Sequence, residues 1–447
     1  MKKIHLLLLL LLCATPRGVA QYCTSIHNAN IHTLRTRYVD TDLPLQRPYL
    51  VLVNGVIDGS DGTNTLEISF DELSHDIQQY SYTLLHCNHD WTKSDISSYE
   101  YVRGFTTGDV VDYELSLNTQ QAYTHYWFTF PNDQMQLTAS GNYVLLIYQD
   151  GDVENMVAQV CFSVVEQIVD VDASLRANTD IELNGRYQQL DVDVRTAALN
   201  VRDAQEVKVV VQQNGRWDNM VTLGKPTFVE PSRLRYINQK SLVFEGGNEF
   251  RHFDIYSTYY AGYHVDVVDY AQGEYHVLLD VDEIRGTMGI GAGREGLPYL
   301  TEEDANGQWV VNCEKTDYVD TEAEYMWVHF CLPTMQPLMD ARVFVGGDMF
   351  YNQYAATNMM YYDAETKCYR ARAYIKQGGY NYMYYSMKSD GQLQTHGSPV
   401  KVSTLPLEGS HWQTENEYVI KVYYRPFGGR YDRLLGYKVL RCGVQHM

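Results

Sequence analysis

EVKVVVQQNGRWDNM, Glu206 to Met220, is the stretch from which the fold class is read. A run of β-branched residues ends in Asn214-Gly215, the dipeptide best able to adopt the two left-handed conformations of a tight hairpin turn, and a second extended segment is expected to follow. The preceding QLDVDVRT repeats the message in another form. Leu190, Val192 and Val194 fall on one face of an extended chain, and Asp191, Asp193 and Arg195 on the other, which is the signature of a half-buried strand.

Outward from there the pattern recurs. YLVLVNG, NTLEISF, NYVLLIYQD and VAQVCFSVV lie upstream; EYHVLLDVD, ARVFVGGD, KCYRARAYIKQGGYNYMYYSMK and EYVIKVYYR lie downstream. The 38 tyrosines suit pleated, half-buried surfaces, and no long amphipathic helix is evident. SFDELSHDIQQY has room for a helical turn capped by Asp71 or Ser74. Many short strands separated by Gly, Asn and Asp predict an all-β chain. We expect three immunoglobulin-like or early-set β-sandwich domains in tandem after a signal peptide: residues 21–167, 168–300 and 325–447, with an acidic linker at 301–324.

Residues 1–20 read as a secretory signal peptide. Lys2 and Lys3 precede an unbroken leucine run, Leu6 to Leu12, and Gly18-Val19-Ala20 offers small residues to a signal peptidase. Bulky Leu12 before Cys13 argues against a lipoprotein. No later stretch is long and apolar enough for a spanning helix, so a soluble periplasmic protein without direct membrane insertion is expected. The formal charge is -21, and removing Lys2, Lys3 and Arg17 with the leader lowers it by three, to -24. A chain so acidic is repelled by phosphate backbones, so nucleic acid is excluded as a partner. The seven remaining cysteines, Cys23, Cys87, Cys161, Cys313, Cys331, Cys368 and Cys442, form no CxxC and cannot all pair.

Four stretches contain chemically capable groups. LLHCNHDWTKSD holds His86, Cys87, His89 and Asp90, but on a strand His86 and Cys87 point to opposite faces, and a zinc ion wants three or four converging ligands. His125 is the nearest further candidate. GGNEFRHFD holds Glu249, Arg251, His252 and Asp254, best read as an Arg251 salt bridge fixing a loop. GIGAGREG, Gly289 to Gly296, lacks the strand, helix and Lys-Ser/Thr of a phosphate loop. EGSHWQTENEY, Glu408 to Tyr418, reads as a buried polar network. No catalytic residue, metal ligand or cofactor is expected, and the chain is not expected to be an enzyme.

As a set these stretches are more specific than any one of them. SFDELSHD, YTLLHCNHDW, YEYVRGF, SLNTQQAYTHYWFTFPN and SGNYVLLIY resemble, in this order, the first domain of the plug proteins of the type IX secretion system of Bacteroidetes. LVFEGGNEFRHFD resembles the middle of that family, and IKQGGYNYMYY and EGSHWQTENEYVIKVYYRPFGGRYDRLLGY its C-terminal part. Gly379 departs from the pattern, which has a bulkier residue there. The resemblance implies a periplasmic β protein that binds the giant outer-membrane translocon barrel and closes its periplasmic mouth while empty. It implies no catalytic residues. The competing reading is a carbohydrate-binding module. VFVGGDMFYNQYAATNMMYYD followed by GGYNYMYY is similar to glycogen-binding early-set domains, with Tyr351 near the place of their sugar-stacking tryptophan and a glycan as partner.

Overall fold

A computed structural model describes residues 21–40, 45–183, 185–287, 297–391, 393 and 400–442. The leader and the Gly289–Gly296 stretch lie outside the described residues. The chain is nearly all β, in three sandwiches.

The first sandwich pairs two sheets. One runs in the order Ser25–Ile26, Met156–Val165, Gly141–Gln149, Tyr80–Cys87, Thr107–Val110; the other Ile31–Tyr38, Leu66–Glu72, Thr124–Phe130, Asp112–Leu115. Period-two alternation sends Leu66, Ile68 and Phe70 inward to meet Tyr80, Tyr82 and Leu84 and also Tyr143, Leu145 and Ile147. The helical turn expected at Asp71 is instead the end of strand Leu66–Glu72, with Asp71 fully buried. Its neighbours on both sides are strands, and ladder pairing to Ile31–Tyr38 and Thr124–Phe130 outweighs a local cap.

The second sandwich corrects the tandem arrangement. Strands Asp170–Arg176, Tyr187–Arg195, Arg233–Tyr236 and Phe228–Glu230 form one sheet. The facing sheet is Val221–Thr222, Val207–Gln213, Asn416–Tyr424 and Arg433–Cys442. Val207 lies opposite Tyr424, Val209 opposite Val422 and Val211 opposite Ile420. The last two strands therefore complete this sandwich and share its core with Leu190, Val192 and Val194. The turn at Asn214-Gly215 is left-handed at both residues, as expected. The returning strand, however, begins only at Val221, because Arg216 forks onto Asp218 and Trp217 turns away to meet Trp91.

The third sandwich is inserted between those halves. Its sheet runs Arg251–Asp254, Gly378–Lys388, Ala341–Gly346, Met359–Asp363, Cys368–Lys376, Tyr325–Pro333, Glu274–Leu279, Val265–Ala271. Strands assigned to the second unit by their position before residue 300 thus belong here. The acidic 301–324 stretch is not a free linker either: its Trp309–Val311 pairs with Gly378–Lys388, and a short helix, Val319–Glu322, follows. Gly379 is explained by close approach, since a Cβ there would lie 2.5 Å from the Tyr256 hydroxyl.

Candidate functional site

YTLLHCNHDW ties the first sandwich to the C-terminal hairpin of the same chain. His86 faces the first core, its Nδ1 2.8 Å from Ser94 Oγ and its Nε2 3.0 Å from the Ser140 carbonyl. Burial lowers it to about 4, so it is neutral at physiological pH. Cys87 faces the other way, packed with Trp91 and Val144. Burial pushes its thiol up to about 12, which leaves no thiolate to attack anything. Asp90 shapes the turn by accepting from the Thr92 amide and hydroxyl. His89 reaches across to the C-terminal hairpin: its Nδ1 lies 2.7 Å from Asp432 Oδ2 and its amide donates to the same oxygen. Arg425 donates to Asp432 Oδ1 and to Asn88 Oδ1, closing the knot. Burial alone would raise Asp432; the His89 and Arg425 hydrogen bonds win and hold it at about 2.

A second tie joins the first and third sandwiches. Asp71 Oδ1 is 2.6 Å from His125 Nδ1, and its Oδ2 accepts from Lys376 Nζ and Tyr325 Oη, each at 2.7 Å. Lys376 also donates to the Asp320 carbonyl and lies 4.2 Å above the Tyr123 ring. Both Asp71 and Lys376 are without side-chain exposure. Burial opposes ionisation of Asp71, but the Lys376 charge and the His125 hydrogen bond hold its carboxyl well below the usual range. Beside this pair Arg35 bonds Asp320, and Glu324 accepts from the Gln120 and Gln121 amides.

The third knot ties the inserted sandwich at its neck. Arg251 forks onto Glu408 at 3.0 and 2.9 Å and reaches Asp282 at 2.7 Å. Arg285 adds a bond to Glu408, and the Tyr382 and Tyr384 hydroxyls donate to Asp282. GGNEFRHFD and EGSHWQTENEY are thus two halves of one buried network. His252 and Asp254 take no part in it; His252 stacks on Tyr263. Glu249 is 1 % exposed, and burial raises it to about 7 while the Tyr299 hydroxyl and Glu415 amide bond its carboxyl.

Where the three sandwiches meet, a cavity of about 300 Å³ is lined by Lys421, Cys161, Trp91, Trp217, Trp309 and Tyr351, among others. Lys421 Nζ donates to Ser163 Oγ at 2.9 Å and sits 5.3 Å over Trp91. Among the described residues no carboxylate is within ion-pair distance of it, and burial lowers the amine to about 8. The fold therefore binds that proton less tightly than the unfolded chain, so its penalty is present at neutral pH and fades as pH rises from about 8 to 10.5. Lys421→Met is expected to stabilise the protein at pH 7 by about 2–3 kcal/mol, or roughly 5 °C in melting temperature, with the gain shrinking by pH 10. Paired melting curves at the two pH values check it; a lower melting temperature at pH 7 would show that the ammonium is compensated.

Tyr351, the residue singled out for sugar stacking, takes a left-handed conformation after the 3-10 turn Asp348–Phe350. Its hydroxyl accepts from the Leu34 amide at 3.1 Å and its ring packs against the first core. It is wedged between two sandwiches. Among the described residues no group of three or more His, Cys, Asp or Glu is placed to hold a metal ion. Cys87, Cys161, Cys313, Cys331 and Cys368 are not joined in disulfides. Asp71 was expected only as a helix cap, and Lys376, Lys421, Arg425 and Asp432 were not singled out in the sequence. A signal did exist for Lys421, which interrupts the apolar run of strand Asn416–Tyr424; Lys376 ends a strand that also carries Arg370 and Arg372 and so gave none.

Residues 56–166 match the family model described as the type 9 secretion system plug protein first domain. A crystal structure of a hypothetical protein from Parabacteroides merdae ATCC 43184 is similar over 94 % of this chain and all of that one, with 34 % identity and a TM-score of 0.85. An ICAM-5 D1–D4 ectodomain fragment aligns over 93 % of this chain and all of its own at 7 % identity, but its TM-score of 0.12 carries no argument. No curated protein matches. The stretches that carry the resemblance are those that build these ties: Asp71, His125 and Lys376 come from three of them, and His89, Arg425 and Asp432 from two. The chain belongs to the type IX secretion system plug protein family, and its role is in that secretion system.

Proposed function

We propose that the protein is a non-catalytic plug, exported by its leader to the periplasm, that docks on the outer-membrane translocon barrel of the type IX secretion system and seals its periplasmic mouth while empty. The observation that carries the reading is the match of the first sandwich to a plug-family model. The build supports it. A stopper must resist deformation, and here three sandwiches are cross-tied by largely buried polar contacts, His89–Asp432, Asp71–Lys376 and Arg251–Glu408, rather than strung on linkers. Of the groups that first suggested chemistry, His89, His125, Arg251 and Glu408 are spent on those ties. A barrel wide enough for folded cargo leaks unless closed. Docking that cargo can reverse calls for an interface of ordinary size, on the order of 1,200 to 2,000 Å² in total. Affinity purification of the tagged protein from native membranes is expected to recover the barrel. Deletion of the gene is expected to admit large antibiotics while much secretion persists; unchanged permeability, with the empty barrel still present, sinks the sealing role.

A further inference from the structure

The outer face of the inserted sandwich is an unusual surface for so acidic a chain. Strand Tyr325–Pro333 buries Met326, Val328 and Phe330 and turns Trp327 and His329 outward; Cys368–Lys376 turns Arg370, Arg372 and Tyr374 the same way. His329 lies opposite Arg372, and Cys331 opposite Arg370. On the far side His276 meets His329, ring nitrogen to ring nitrogen at 3.0 Å. Arg372 lies 4.3 Å above the Trp327 ring, which is 4.8 Å from Tyr374. Exposed Tyr361 and Leu278 flank the row.

The charges here do not cancel. Asp363 pairs with Arg370 at 3.5 Å, and Asp269 lies opposite His276 at the sheet edge. Arg372 has no carboxylate within ion-pair distance among the described residues. His329 is held low by burial and then by His276, Arg372 and Arg370 beside it. The upper end of this same face is already occupied: there the first sandwich lays the acidic strand end at Asp71 onto Lys376, with His32 edge-on to Tyr374. A cleft of about 580 Å³, lined by Trp327, Arg372 and Tyr374 with Ala29 and His32, opens where that contact stops.

We infer that the uncovered row Trp327–His329–Arg370–Arg372 is a docking surface for an acidic, extended segment of a partner protein, received as Asp71 is received one step up the strand. The inference rests on the docking reading above and names the surface and the partner chemistry. Arg372 supplies the charge, stacking on Trp327 holds its guanidinium flat, and the cleft takes an apolar side chain of the segment.

The probe is a synthetic twelve-residue peptide alternating Glu with Ala and Leu, with a copy carrying Gln for Glu as control. The full-length protein is expected to bind the first more tightly than the second, and the preference is expected to weaken with salt. Arg372→Glu is expected to weaken binding at least about ten-fold with the melting temperature unchanged, because Arg372 is exposed, and Trp327→Ala to weaken it measurably. Equal binding of both peptides, or no loss in Arg372→Glu, overturns the inference. Purification from membranes separates it from the docking reading. A wild-type protein that recovers the barrel while Arg372→Glu recovers it equally well refutes this surface alone. A wild-type protein that recovers no barrel refutes the docking reading, and the peptide comparison then decides the surface.

Discussion

Asp71→Asn is expected to cost about 3–5 kcal/mol and to lower the melting temperature by about 10 °C. The substitution is nearly isosteric, so packing changes little. What it removes is the one full negative charge that Lys376 Nζ touches, and Lys376 has no exposed surface through which water can replace it. The remaining acceptor for the ammonium, the Asp320 carbonyl, is a dipole and not a charge. Replacing both partners with apolar groups, Asp71→Leu with Lys376→Met, is expected to recover most of the loss, because a buried pair costs desolvation on both sides. The tie also fixes the pH response. Because the Asp71 carboxyl is held below its unfolded value, its contribution is complete above about pH 4 and is lost as pH falls through the folded value. A melting temperature in Asp71→Asn equal to wild type would show that Lys376 is not carried as a charge.

A chain ending at Glu408 is expected to lose the second sandwich, not a dispensable C-terminal domain. The truncation strips strands Asn416–Tyr424 and Arg433–Cys442 from a four-stranded sheet and bares the face formed by Val207, Val209 and Val211. Tyr418, Ile420, Val422 and Leu435 leave the core with them. At roughly 1.5–3 kcal/mol for each large apolar side chain, the loss is on the order of 10 kcal/mol, comparable with the whole stability of a domain. It also opens the long edge Val207–Gln213 to pairing with other chains. The expected result is aggregation, with fast amide exchange throughout residues 168–249. A soluble truncated protein whose 168–249 amides stay protected would mean that this segment folds without its C-terminal partners.

Strand content, the Asn214-Gly215 turn and the inward face of Leu190, Val192 and Val194 were legible in the sequence because each follows from local geometry. A strand has a period of two, and a tight turn needs two residues tolerant of positive φ. The opposed facing of His86 and Cys87 was legible for the same reason. The family motifs could be picked out without knowing what they build. Partner choice was not legible. The pattern of EYVIKVYYR says strand and says nothing of Val207–Gln213 as its neighbour, some two hundred residues away. Three domains in sequence order were therefore expected where the fold inserts the third into the second. The polar knots are non-local in the same way. Asp71 was expected to cap a helical turn, and nothing local marks Lys376 or Asp432. The tertiary structure alone decided that each is buried beside a group from a distant strand, because a buried charge acquires its meaning from the partner that compensates it.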